Sequence, residues 1–466
     1  MPTQLTRQHL QAICITSLIL ATEFFNFAIV LYLSELLLPV FFGNSQESWL
    51  AYVQLFVLLA AGYVLRPLAG LLIGCYGDHH GRQAILKPSL LALIATTVLM
   101  AILPTYANIG WLAAILFVVV RLAQSIATAA IMPTVWVYIT ERLPTRNLGL
   151  GCGSVLAGCV LAMPCVIMLI SWLDSTLSYE QMFSYGWRVA LLCGAMASLL
   201  VLPLINQLQE SPIFVGDKNQ QPSTISTVRL SDLATNHHPD ALTIAKLPTT
   251  KRIGWAFDTI CQIASWLFHQ LITKTMFIGL IIASTLTAAI ISLLIFTPTL
   301  LSSLIDLSFG ISEALLWRAN LVIAISMAMG AVVFGLLVDR FNAGVVLILG
   351  SLFLALQAVL LFNHLRTDGD NPLWYFASFG VASGIIGAMP SVIVRLFSRK
   401  IRLSSVAVIL NFAIAIIAGF LPFVLGLATV YLSFAPVIFI STLSLLVMFV
   451  SFYIYYLPRS DEDMWR

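Results

Sequence analysis

Gly74-Cys75-Tyr76-Gly77-Asp78-His79-His80-Gly81-Arg82 and Gly335-Leu336-Leu337-Val338-Asp339-Arg340-Phe341-Asn342 decide how this chain is read. Each stretch holds a Gly, three further residues and an Asp, at the end of a long apolar run. The two runs are the second and the eighth along the chain, so the stretches occupy equivalent places in its two halves. Repeated halves mark secondary transporters. A small residue lets two helices approach closely. An Asp at a helix end can face the positive N-terminus of a neighbour, or an Arg. Gly74, Asp78, Gly81, Arg82, Gly335, Asp339 and Arg340 are therefore candidates for a latch that holds the halves in one state and releases them in the other. The plainer alternative is a tight polar turn.

Outward from these stretches the chain is strongly apolar. Of 466 residues, 60% are hydrophobic and 9% charged, where a soluble domain carries roughly 25% charge. With a mean hydropathy of +0.98, a soluble enzyme and a disordered chain are excluded. A membrane β-barrel does not fit, because the apolar stretches are continuous rather than alternating. A spanning helix needs about 20 apolar residues. Twelve segments qualify, near 10–40, 49–76, 84–104, 110–139, 148–173, 186–208, 271–302, 312–339, 343–364, 372–398, 402–430 and 432–457. The expected fold is an all-α membrane protein, with twelve transmembrane helices in two six-helix bundles over 1–208 and 271–466. Residues 209–270 form a linker, and Ile253, Phe257, Ile260, Ala264 and Leu267 suggest an amphipathic helix over 253–270. An early start of the seventh span is the other reading of that segment.

Lys and Arg set the orientation. Arg7, Arg82, Lys87, Arg142, Arg146, Arg340, Arg399, Lys400, Arg402, Arg459, Arg466 and the linker share one side. Both termini are accordingly expected in the cytoplasm, in a multi-pass protein of a bacterial inner membrane. Trp49, Trp111, Trp172, Trp187 and Trp374 fall at the opposite helix ends, where amphipathic rings prefer the interface. The seven cysteines show no metal-ligand spacing and read as small hydrophobes. No metal site or cofactor is expected, and a net charge of +3 gives no reason to expect nucleic acid.

Charges at membrane depth are costly and call for a reason. Glu23, Arg66 and Arg121 lie near the midplane of the first, second and fourth spans. Arg66 stands 12 residues before Asp78, about 18 Å of helix. Asn26 shares a face with Glu23, beside Phe24, Phe25 and Phe27. Gln124 follows Arg121 by one turn. The second half offers Arg318, Asn320 and Asn411. Arg121, Gln124, Asn26, Phe27, Arg66, Asn411 and Asn320 are candidate substrate-binding residues, with Arg121 or Arg66 taking a carboxylate. Aromatic rings beside Glu23 suit an ammonium group. Glu23 either carries a proton or neutralises an Arg within the bundle. For Arg66 a structural role weighs more, because Pro67 follows it at a helix bend.

The repeated loop and the six-plus-six layout resemble the major facilitator superfamily. Glu23-Phe24-Phe25-Asn26-Phe27, Arg66-Pro67-Leu68-Ala69-Gly70, Arg121-Leu122-Ala123-Gln124-Ser125, Gly186-Trp187-Arg188, Glu210 to Phe214 and the Arg402/Asn411 spacing resemble its metabolite:proton symporters, which include proline/betaine, citrate and 2-oxoglutarate carriers. The resemblance is denser over the first 214 residues than after the linker. It adds Glu141, Arg142 and Arg146 to the candidate latch. It implies a transporter of a small zwitterionic or anionic metabolite, working by alternating access as a monomer in the bilayer, with a proton as candidate co-substrate. Asn26 and Ile131 stand where the family keeps acids, and His79 where it keeps an Arg, so coupling falls on Glu23 or is absent. A facilitated-diffusion carrier, an uncoupled exporter and a non-transporting sensor stay open as alternatives. A membrane enzyme would have to be built on Asp78-His79-His80, which the loop already accounts for.

Overall fold

A backbone in hydrocarbon finds no water to bond, so long apolar runs close their hydrogen bonds internally as helices. The computed structural model describes residues 5–43, 54, 62–211, 274–297, 301, 304–305, 312–367 and 372–456. Trp49, the start of the second span, most of the linker and the expected amphipathic helix over 253–270 lie outside the described residues. Eleven described segments are long and apolar enough to cross a membrane, and the fold is that of an all-helical, multi-pass membrane protein.

The helices are α1 (Arg7–Tyr32), α2 (Ser34–Phe42), α3 (Arg66–His80), α4 (Gln83–Ile102), α5 (Trp111–Thr128), α6 (Ile131–Arg142), α7 (Leu148–Thr176) and α8 (Trp187–Val201). They continue with α9 (Lys274–Ile295), α10 (Glu313–Arg340), α11 (Ala343–Arg366), α12 (Leu373–Ser383), α13 (Met389–Arg395), α14 (Arg402–Ala413), α15 (Gly419–Tyr431) and α16 (Ala435–Tyr456). Several expected single spans are interrupted. The first breaks at Leu33 and the fourth at Ala129-Ala130. The tenth passes through a 3₁₀ segment at Gly384–Ala388, and the eleventh through a π segment at Ile414–Ala418. Pro422 follows the π segment by four residues and cannot donate to the Ala418 carbonyl, which accounts for the local unwinding. The second span runs to His80, past the expected end near 76.

Two cross-bundle contacts fix the site. α7 packs along α10, and α3 packs along α14. Both depend on missing side chains. A β-carbon at Gly149 would collide with the Gly335 carbonyl oxygen, and one at Gly74 would stand 2.8 Å from Ser404 Cα. Within the bundles, α1 packs on α7, and α10 on α12.

The tryptophans divide. Trp111, Trp172 and Trp374 are exposed, as interfacial rings should be. Trp187 corrects the expectation, being fully buried. Its ring meets Phe41 edge-on at 5.3 Å, and the Arg188 guanidinium lies 4.3 Å from its centroid. Arg188 in turn donates to the carbonyls of Ala101, Leu103 and Ser184, tying α8 to the end of α4. That anchoring draws the neighbouring indole inward.

Candidate functional site

A cavity lies between the bundles, lined by residues of both halves. Its walls are unlike. The N-terminal half supplies Glu23, Phe24, Asn26, Phe27, Gly62, Tyr63, Arg66, Leu93, Arg121, Gln124, Ser125, Thr128 and Met132. Among the described residues, the C-terminal half supplies only Ile291, Leu294, Ile295, Ile414 and Ala418. Every charged or hydrogen-bonding side chain of the described lining therefore belongs to one bundle.

The three deep charges are all buried. Arg66 Nη2 pairs with Glu23 Oε1 at 3.0 Å, bridging the second span to the first. Glu23 Oε2 has no hydrogen-bond partner among the described residues. Arg121 has no carboxylate within ion-pair distance among the described residues. Its Nη1 donates to Gln124 Oε1 at 2.8 Å, and its Nε is left without a partner. The cavity wall thus carries one neutralised pair and one uncompensated cation. Phe24, Phe27 and Tyr63 line the same space, with ring centroids 5.3 Å apart for the first pair and 6.3 Å for the second.

Not every candidate reaches the cavity with a free group. Asn26 lines it, and its Nδ2 donates to the carbonyls of Thr22 and Gly194 and to Ser198 Oγ, which binds α1 to α8, while its Oδ1 has no hydrogen-bond partner among the described residues. Asn411 is not in the lining. Its Nδ2 donates to the carbonyls of Ala129 and Ala407 at 2.7 Å each, stitching α14 to the break between α5 and α6. Asn320 is buried but is also outside the lining. Arg318 is exposed. Gly62 and Tyr63 line the cavity without being sequence candidates, and Thr97 accepts from Gln124 Nε2 behind it. A lone Gly, Tyr or Thr in an apolar run has no feature that marks it before the helix rotations are known.

At the other end of these helices the two repeated stretches make matching contacts. The Asp78 carboxylate accepts from the backbone N–H groups of Leu403 and Ser404, at 3.1 and 2.9 Å. The Asp339 carboxylate accepts from those of Gly149 and Leu150, at 2.7 and 2.8 Å. Each Asp thus sits on the first turn of a helix from the opposite half, α14 in one case and α7 in the other. Unsatisfied N–H groups and the helix dipole there favour an anion. Arg82 binds Glu141 through both Nε (3.2 Å) and Nη2 (3.0 Å) and lies 3.3 Å from Asp78. Arg402 Nη1 reaches the same Glu141 at 3.6 Å. Glu210 caps the network by accepting from the backbone N–H of Arg82 and Gln83. Gly81 takes a φ of +100° at the turn, a conformation that suits glycine. Arg142 donates to Gln209 and Gln8, whereas Arg146 and Arg340 are exposed and outside these contacts.

A cavity with buried charges between two helical bundles that are joined by mirrored contacts is the arrangement of a secondary transporter. The chain is a multi-pass membrane transporter with the major facilitator fold. It aligns with the proton:xylose symporter XylE of E. coli at a TM-score of 0.73 and 15% identity, over 98% of this chain and 97% of that one. Among relatives in sequence, it is 28% identical over 433 residues to the proline/betaine transporter of Salmonella typhimurium, covering 88% of this chain and 76% of the relative. It is likewise 28% identical over 415 residues to the glycine betaine/proline/ectoine/pipecolic acid transporter OusA of Dickeya dadantii, covering 86% and 74%. No protein-family profile matches the chain. These relatives are transporters, not enzymes, and place the chain among carriers of the bacterial inner membrane.

Proposed function

We propose that the protein carries a small zwitterionic osmolyte or amino acid of the proline or betaine type, as a single chain in the bilayer. The observation that carries this reading is Arg121, a buried cation in the cavity wall without a carboxylate partner among the described residues. An uncompensated guanidinium in a dry site attracts a carboxylate. Phe24, Phe27 and Tyr63 offer ring faces to the cationic end of the same ligand. Gln124 works with Arg121, Arg66 serves as the counter-charge of Glu23, and Asn26 supports the wall. Asn411 acts between helices rather than on substrate.

Coupling falls to Glu23, whose Oε2 is free to take a proton while Oε1 holds Arg66. Asp78, Asp339, Gly74, Gly335, Arg82 and Glu141 act as the latch on the cytoplasmic side. Transport then proceeds by releasing that latch and closing the opposite end.

Proteoliposomes test both parts. Labelled proline and glycine betaine should exchange across the membrane, and Arg121→Ala should weaken their binding about 10- to 100-fold, the worth of a charge-assisted hydrogen bond. Glu23→Gln should keep exchange but lose uptake driven by an imposed pH gradient. Unchanged binding in Arg121→Ala would refute the site. Intact gradient-driven uptake in Glu23→Gln would refute the coupling.

A further inference from the structure

The carbonyl that Asn411 reaches in the opposite half is one that its own helix does not use. The fourth span breaks at Ala129-Ala130, between α5 and α6. In an unbroken helix the Ala129 carbonyl would accept from the N–H of residue 133. That residue is Pro133, which has none. No main-chain N–H donates to the Ala129 carbonyl among the described residues. Asn411 Nδ2, on α14, donates to it at 2.7 Å, and to the Ala407 carbonyl of its own helix at 2.7 Å. Both amide hydrogens are thus committed. Turning the amide over would set its oxygen against two carbonyls, so its orientation is fixed. Asn411 and Ala129 are each 1% exposed.

This bond occupies a layer of its own. Along α14, Ile414 lines the cavity, Asn411 stands about one turn before it, and Ser404, which meets Asp78, about two turns before that. Along α3, Arg66 lines the cavity, and Gly70, Gly74 and Asp78 follow at steps of one turn. A β-carbon at Gly70 would collide with Asn411 Nδ2. On the fourth span, Thr128 and Met132 line the cavity on either side of Ala129 in the chain. The bond from Asn411 to Ala129 therefore joins the halves between the cavity and the Asp78 contact.

We propose that Asn411 and the Ala129 carbonyl form an inner gate at the base of the cavity. The bond holds α14 against the break in the fourth span, and the halves part on the Asp78 side only when it is broken. While the halves are joined, the buried Ala129 carbonyl depends on Asn411. Once they part, water serves it. Removing the donor therefore penalises the joined state alone. The gate differs in kind from the Asp78 contact, which sets a charge on a helix terminus, and it works without substrate.

The test reads distances between spin labels near Leu403 and Gln83 in the purified full chain without ligand, with melting temperature as the folding control. Asn411→Ala should move the population toward the parted state about 5- to 100-fold, the scale of one buried acceptor left unpaired. Pro133→Ala supplies the missing N–H. In that background Asn411→Ala should shift the population about 3-fold or less, because Ala129 then keeps a partner in its own helix. An unmoved distance distribution in Asn411→Ala overturns the gate. An equal shift with and without Pro133→Ala shows that Asn411 holds by packing, and overturns the part given to the Ala129 carbonyl. If Asn411→Ala does not fold, Asn411→Ser takes its place under the same criteria, since a serine can still bond Ala407 but is too short to reach Ala129. If the distances stay unmoved while labelled proline binds as weakly as in Arg121→Ala, Asn411 acts on substrate and the proposal falls.

Discussion

At the residue scale, the deep charges differ in what they can still do. Arg66 has spent its charge on Glu23, whereas Arg121 has spent one nitrogen on a neutral amide. Removing one member of a buried pair leaves the other uncompensated, at a cost of about 3–5 kcal/mol. Arg66→Ala is therefore expected to lower the melting temperature in detergent more than Arg121→Ala, although both stand in the cavity wall. Equal losses would contradict the pairing. This difference was only half legible in the sequence. Depth along a helix can be counted from Asp78, so all three charges were found. Their partners depend on how the first and second spans are rotated against each other, across 43 positions of chain.

At the element scale, α3/α14 and α7/α10 are held by the same device. The repeat of Gly, three residues and Asp was readable because it recurs, and its partner, a helix N-terminus, followed from elementary electrostatics. Which N-terminus was not readable, since that requires the packing of the halves. Hydrogen bonds to a charged group contribute about 1.5–3 kcal/mol. Asp78→Asn or Asp339→Asn should each shift the population toward the opened latch roughly 10- to 100-fold at that strength. Distance measurements between spin labels near Leu403 and Gln83, or near Leu150 and Arg340, would read this. A distance distribution unmoved by either substitution would show that packing alone holds the end closed. The interrupted spans were not legible. Composition marks a stretch as apolar without revealing where a π or 3₁₀ segment relaxes it. Trp187 was misplaced by the same kind of rule, because interfacial preference says nothing of Phe41 beside it. Burial of that ring predicts a loss of about 3–5 kcal/mol for Trp187→Ala, seen as a lower melting temperature without a change in ligand specificity.

At the scale of the whole molecule, the cavity's asymmetry has consequences for transport. Among the described residues, all its polar side chains belong to the N-terminal half, and the C-terminal half presents Ile291, Leu294, Ile295, Ile414 and Ala418. An apolar wall makes no directional bonds and can move past a bound ligand without breaking any. Leu294→Ala should therefore alter the rate of exchange while changing Kd less than about 3-fold, whereas Arg121→Ala acts on Kd. Binding and kinetic measurements on the two variants would check this. A Leu294 effect as large as that of Arg121 on Kd would show both halves gripping the ligand. The six-plus-six layout itself was legible from run lengths, because hydropathy and the repeat report on the whole chain at once.

The donors at both latches are main-chain N–H groups, of Leu403 and Ser404 on one side and Gly149 and Leu150 on the other. Only one partner of each contact is spelled out in the residue alphabet. The other is supplied by whatever amino acids, proline excepted, begin those helices. Such a contact can survive drift at 403, 404 and 150 with no compensating change at 78 or 339. Correlated substitution between the two halves would thus leave no trace of these main-chain hydrogen bonds, in contrast to the side-chain pair of Glu141 and Arg402.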